Sequence, residues 1–126
     1  MGKLLESGEM YLETILELSE SIDFVRSIHI AEKMGYSKAS VSRAMANLKH
    51  DNYIDISDKG RITLTKSGEE VAKSMYERHR TMSQILIELG VDPEIATRDA
   101  CRIEHVISPE TFDALKKHIA KYKTVK

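Results

Sequence analysis

The sequence predicts a mainly α-helical chain: an N-terminal winged helix-turn-helix, followed by a three-helix domain. Three observations carry this. Two short helix signals meet at a tight turn, Gly35-Tyr36. A hairpin pattern then brackets Ser57-Asp58-Lys59-Gly60. Beyond Leu64 the strand signals stop, and helix starts recur at Thr65, Asp92-Pro93 and Ser108-Pro109.

The first helix is expected from about Gly8 to Glu20 with Ser7 as its N-cap, because Tyr11, Leu12, Ile15, Leu18 and Ile22 make one stripe at helical spacing. A short extended piece, Phe24-Val25-Arg26, follows. Ser27 can cap a second helix, Ile28 to Met34, which Gly35 ends. Ser37 can cap a third, Lys38 to about His50, whose inner face is Val41, Ala44, Met45 and Leu48. Its outward residues are Ala39, Arg43, Asn47 and His50, with Ser42 at the flank. The hairpin pairs Tyr53–Ile56 with Arg61–Leu64 and completes the first domain, residues 1–64. In the second domain, residues 65–126, Thr65 caps a long helix from Lys66 to Leu89, closed by Gly90. A helix from Pro93 to about Val106 comes next, and a last one to about Tyr122 carries an apolar stripe of Phe112, Leu115, Ile119 and Tyr122. Three helices are too few to enclose a large core, so an exposed apolar face there suggests a homodimer.

At 126 residues with 19 basic and 20 acidic side chains, bulk charge says nothing about nucleic acid, but its distribution does. Lys33 to His50 contains no acid and holds Lys33, Lys38, Arg43 and Lys49, whereas Glu6 to Glu20 has five glutamates and no base. One cysteine excludes an internal disulfide framework, and no signal peptide or long apolar run is visible. The expected compartment is the cytoplasm, with Cys101 reduced.

The densest chemistry lies at Cys101-Arg102-Ile103-Glu104-His105, where a thiol, a carboxylate and an imidazole stand at i, i+3 and i+4. If that stretch is helical the three share a face. A free cysteine is usually a small buried hydrophobe. Here helical angles put it with Glu104 and His105, away from the apolar group Ile95, Ala96, Ile103 and Val106. Met10 shows the same anomaly: it lies opposite the apolar stripe of its helix, beside Glu13, Thr14 and Glu17, and a thioether there is a soft metal donor. His79 sits at the edge of the long helix's apolar face, where a lone histidine is more often structural. His29, His50 and His118 have no companion pattern and count as surface or packing residues. No oxyanion or elbow motif accompanies Cys101 and His105, so a nucleophile-and-base enzyme is disfavoured.

These blocks resemble the diphtheria-toxin-repressor family of metal-dependent transcriptional regulators. The resemblance rests on Glu9-Met10-Tyr11-Leu12-Glu13, Ser40-Val41-Ser42, Leu64-Thr65 with Gly68, Arg78-His79-Arg80, and Ala100-Cys101-Arg102-Ile103-Glu104-His105-Val106, and it covers essentially the whole chain. It implies a homodimer that takes a divalent metal as corepressor and then binds operator DNA. Carried over by position, Met10, Cys101, Glu104 and His105 match the primary site of the iron-responsive branch. The manganese-responsive branch has carboxylates at the Met10 and Cys101 positions. Sulfur donors therefore favour Fe(II), with Co(II) or Ni(II) as in vitro substitutes, over Mn(II). A second site, built in iron-type members around the equivalent of His79, has Ser83 and Thr97 where a carboxylate and a histidine are needed. It is expected to be lost or rebuilt with Glu13 beside His79. The small barrel domain of iron-type members is also expected to be missing.

For DNA, Ser37, Ser40 and Ser42 can bond phosphate oxygens near the start of the third helix. Arg26, Lys38, Lys59 and Arg61 are further phosphate partners. Ala39 can meet a thymine methyl and Arg43 can fork onto guanine. Two-fold symmetry would suit a palindromic site. Met10 belongs to the DNA-binding domain and Cys101 to His105 to the other, so one ion held by both would fix their orientation and act as a switch. Two alternatives stay open: a Mn(II)-responsive regulator, and a redox-sensing winged helix using Cys101, against which the absence of a resolving cysteine counts.

Overall fold

A computed structural model describes residues Glu6–Lys123, with side chains described as far as Lys121. Its elements run α1 Glu6–Ser21, α2 Ser27–Met34, α3 Lys38–His50, β1 Ile54–Ile56, β2 Ile62–Leu64, α4 Lys66–Glu88, α5 Pro93–Ile103 and α6 Pro109–Lys123. The chain divides into two compact units between Ser74 and Met75, within the span of α4. The mainly helical winged helix-turn-helix architecture is the one the sequence predicts.

In the first unit, α1, α2, α3 and the hairpin enclose a core of Leu12, Ile15, Ile30, Val41, Met45 and Ile54, all essentially inaccessible. Local chemistry sets the element ends. Gly35 terminates α2 at φ 73°, with its N–H on the Ala31 carbonyl. Ser37 accepts from the Ser40 N–H at 3.1 Å and starts α3. After α3, Asn52 takes φ 66°, which an Asn side chain tolerates, and the Tyr53 N–H returns to the Leu48 carbonyl. The antiparallel register is Ile54 with Leu64, Asp55 with Thr63 and Ile56 with Ile62. The loop before α2 joins this ribbon, because the Ile62 N–H donates to the Val25 carbonyl at 2.8 Å.

Thr65 caps α4 by accepting from the Gly68 N–H at 3.2 Å, while its own hydroxyl donates to the Asn52 carbonyl. Gly68 faces the Tyr53 backbone so closely that a Cβ would collide with that carbonyl, which accounts for a glycine in a helical first turn. In the second unit, Asp92 caps α5 ahead of Pro93, and Ser108 caps α6 ahead of Pro109 through the Thr111 N–H. Met75, Met82, Ala96, Ala100 and Phe112 are buried there.

Four expectations need correcting. Ser7 lies inside α1, which already includes Glu6. The N-cap of α2 is Arg26, not Ser27; its N–H donates to His29 Nδ1 at 2.9 Å, so His29, expected as a surface or packing residue, takes part in the cap. Helix α5 ends at Ile103, and Glu104, His105 and Val106 form a turn. Ile95 and Val106, expected on the inner side of α5, are 48 % and 71 % exposed; the buried line is Ala96, Ala100 and Glu104. In the last helix Phe112 is buried and Leu115 and Ile119 half-buried, whereas the Tyr122 side chain lies outside the described residues.

Candidate metal centre and nucleic-acid interface

The most unusual group in the second unit is the Glu104 carboxylate. Continuing the i, i+4 line of Ala96 and Ala100 carries it inward, where it is fully buried and neither oxygen has a hydrogen bond. A carboxylate held that way costs several kcal/mol unless a cation compensates it. Its neighbours are two imidazoles. His79 Nδ1, from α4, lies 3.6 Å from Glu104 Oε1, and His105 Nε2 lies 3.5 Å from the same oxygen. Adjacent ligand atoms about 2.1 Å from one ion stand roughly 3.0–3.4 Å apart, so each imidazole–carboxylate pair is near the spacing of neighbouring ligands on a divalent transition metal.

The sequence assigns His79 and Glu104 to different sites; the structure brings them to one carboxylate oxygen. Glu104 is the C-cap of α5: its backbone is still helical and its N–H donates to the Ala100 carbonyl at 2.9 Å, and His105 follows in the turn beyond it. Arg78 holds that turn: its Nη1 donates to the Glu104 carbonyl at 3.1 Å and the Ile107 carbonyl at 3.0 Å, and its guanidinium lies 5.4 Å from the Phe112 ring centre. The sequence names Arg78 only within a resemblance block. A hydrogen bond spanning 26 residues leaves no local signal. Cys101, one turn before Glu104 and His105, is half-buried. Ser83, one turn beyond His79, has a buried hydroxyl without a hydrogen bond.

In the first unit Met10 is half-buried on α1, and Glu13, expected on a polar face, is a buried carboxylate at 7 % exposure. Burial, with the Tyr36 hydroxyl adding to it, pushes the neighbouring Tyr11 hydroxyl above its usual value. The residues expected to meet DNA are on the surface: Ser37, Lys38, Ala39, Ser42 and Arg43 are exposed at the start and outer face of α3, Ser40 is half-buried among them, and Arg26, Lys59 and Arg61 are exposed. Ser40 Oγ accepts from Ser37 Oγ at 2.9 Å and stands 3.5 Å from Arg43 Nη2, so the α3 start is an organised polar surface without an acid.

Residues 3–61 match the family model of the iron-dependent repressor N-terminal DNA-binding domain, and residues 65–125 match that of the iron-dependent repressor metal-binding and dimerisation domain. The chain belongs to the iron-dependent repressor family. This family, which includes the diphtheria toxin repressor, consists of metal-dependent transcriptional regulators, not enzymes. Among relatives, the transcriptional regulator MntR of Escherichia coli is 36 % identical over 115 residues, covering 88 % of this chain and 74 % of that protein. The diphtheria toxin repressor of Corynebacterium diphtheriae is 32 % identical over 111 residues, covering 87 % of this chain and 49 % of that one. A solved manganese-dependent transcriptional repressor in complex with manganese superposes with a TM-score of 0.82 at 29 % identity, over 90 % of this chain and 52 % of that one. Among the described residues, no helix of this repressor-family chain is long and apolar enough to cross a membrane.

Proposed function

We propose that this chain is a cytoplasmic, homodimeric repressor that binds palindromic operator DNA when a divalent metal is bound, with Fe(II) the favoured corepressor. The observation that carries the reading is the buried Glu104 carboxylate with His79 and His105 at 3.6 and 3.5 Å. Bound there, a divalent ion supplies the positive charge that the carboxylate lacks. Glu104 and His105 offer ligand atoms from the turn after α5 and His79 from α4. Cys101 adds a thiolate, and family likeness adds Met10 from α1, while Glu13 is the replacement carboxylate for a rebuilt second site with His79. Met10 is then the residue through which metal occupancy reaches the DNA-binding unit.

Operator contact falls to the α3 surface. Ser37, Ser40, Ser42, Lys38, Arg26, Lys59 and Arg61 meet phosphates, while Ala39 and Arg43 meet base edges. The sulfur donors Cys101 and Met10 support Fe(II). A second reading, Mn(II), is favoured by a different observation: two imidazole nitrogens face the Glu104 carboxylate oxygen in the helical unit, and nitrogen and oxygen donors suit a harder ion.

An anaerobic Co(II) titration of the metal-free protein, with Cys101→Ser in parallel, separates the two. An intense near-ultraviolet sulfur-to-cobalt band in the parent that is lost in the variant supports the iron reading. Cobalt bound without that band supports the manganese reading. No binding removes the metal-dependent function altogether.

A further inference from the structure

The register of the wing brings three side chains together. Val25 and Ile62 are joined by the 2.8 Å Ile62 N–H to Val25 carbonyl bond, and both are 2 % exposed, turned into the core. Their chain neighbours Arg26 and Arg61 are exposed, and Phe24, in the bend just before Val25, is half-buried. The Arg26 guanidinium lies 4.9 Å from the Phe24 ring centre and the Arg61 guanidinium 5.7 Å from it. Both arginines are exposed, and among the described residues neither has an acidic partner within ion-pair distance. The nearby Asp23 and Glu69 line a cavity with Arg61 without pairing to it, and Glu69 pairs with Lys73 instead.

Two unneutralised guanidiniums held over one ring repel each other and are stabilised by an anion that both can reach. We propose that Phe24 is a positioning residue. Its ring fixes Arg26 and Arg61 as a two-pronged site for a phosphodiester of duplex DNA. This rests on the operator-binding reading above and adds a residue that carries no charge. Phosphate binding is read out by the salt dependence of affinity: the logarithmic slope falls by about one for each phosphate no longer neutralised. Removing an uncharged ring should therefore change a charge-counting observable.

The test uses the full chain at saturating Mn(II) and a labelled random-sequence duplex, with affinity measured across a salt series. Phe24→Leu is expected to bind about five- to tenfold more weakly at low salt, with a slope shallower by about one unit. It should have no further effect when added to Arg26→Ala/Arg61→Ala. Phe24→Trp, which keeps a ring face, should retain the parent slope. An unchanged slope in Phe24→Leu, a weakening that persists in the arginine-free background, or a reduced slope in a folded Phe24→Trp protein would overturn the proposal. Failure of the parent to bind any duplex with metal present would instead overturn the operator-binding reading.

Discussion

Glu104 shows how one side chain can be placed against its own solvation for a purpose elsewhere. It is buried without hydrogen bonds at the end of α5, where an alanine or a leucine would pack without penalty. The Glu104→Gln protein, unfolded with urea in the presence of a chelator, should be more stable than the parent by about 1–2 kcal/mol, since a buried charge becomes neutral at nearly constant volume. Its metal affinity, followed by Co(II) absorption, should fall by roughly 100-fold or more. A variant that is less stable and binds metal normally would make Glu104 an ordinary structural group. The candidate pattern is visible in the sequence, because Cys101, Glu104 and His105 stand within five residues. The convergence of His79 is not: it lies on a separate helix, and no periodicity within α4 signals which partner it meets.

Helix starts and stops are legible wherever they depend on neighbours in the chain. Ser37, Asp92, Ser108, Thr65 and Gly35 all act as their residue types predict, since a cap is satisfied within three or four residues. The end of α5 comes about a turn earlier than the sequence suggests, and the reason is tertiary. Arg78 on α4 takes the Glu104 and Ile107 carbonyls, so the chain leaves the helix at Ile103 with those acceptors already satisfied. Replacing Arg78 with Met keeps much of the packing on Phe112 but removes both donors. The metal-free protein is expected to be destabilised by about 1.5–3 kcal/mol, and the folded variant to bind metal about tenfold more weakly, because the ligand-bearing turn has no tether. Unfolding curves and a metal titration on the same sample separate these effects. A lower stability with unchanged affinity would confine Arg78 to capping.

At the scale of the whole molecule, the proposed function links metal binding to folding and to DNA affinity. Metal at 100 times its dissociation constant stabilises the folded state by about 2.7 kcal/mol. Thermal unfolding should therefore shift upward by several degrees with metal and return on chelation. A tenfold gain in DNA affinity needs only about 1.4 kcal/mol of coupling. Met10→Ala should reduce that gain more than it weakens metal-free dimerisation, compared by DNA titration and sedimentation; equal reductions would remove Met10 from the switch. The sequence by itself determined the element order, the winged helix, most caps and the family, because these rest on short-range periodicity, capping and turn chemistry. Only the tertiary structure decided that His79 and His105 face one buried carboxylate, that Arg78 holds the turn bearing it, and that Phe24 gathers Arg26 and Arg61. Each of those depends on segments distant in the chain meeting in space, and side-chain convergence across elements is fixed by packing, which no local pattern encodes.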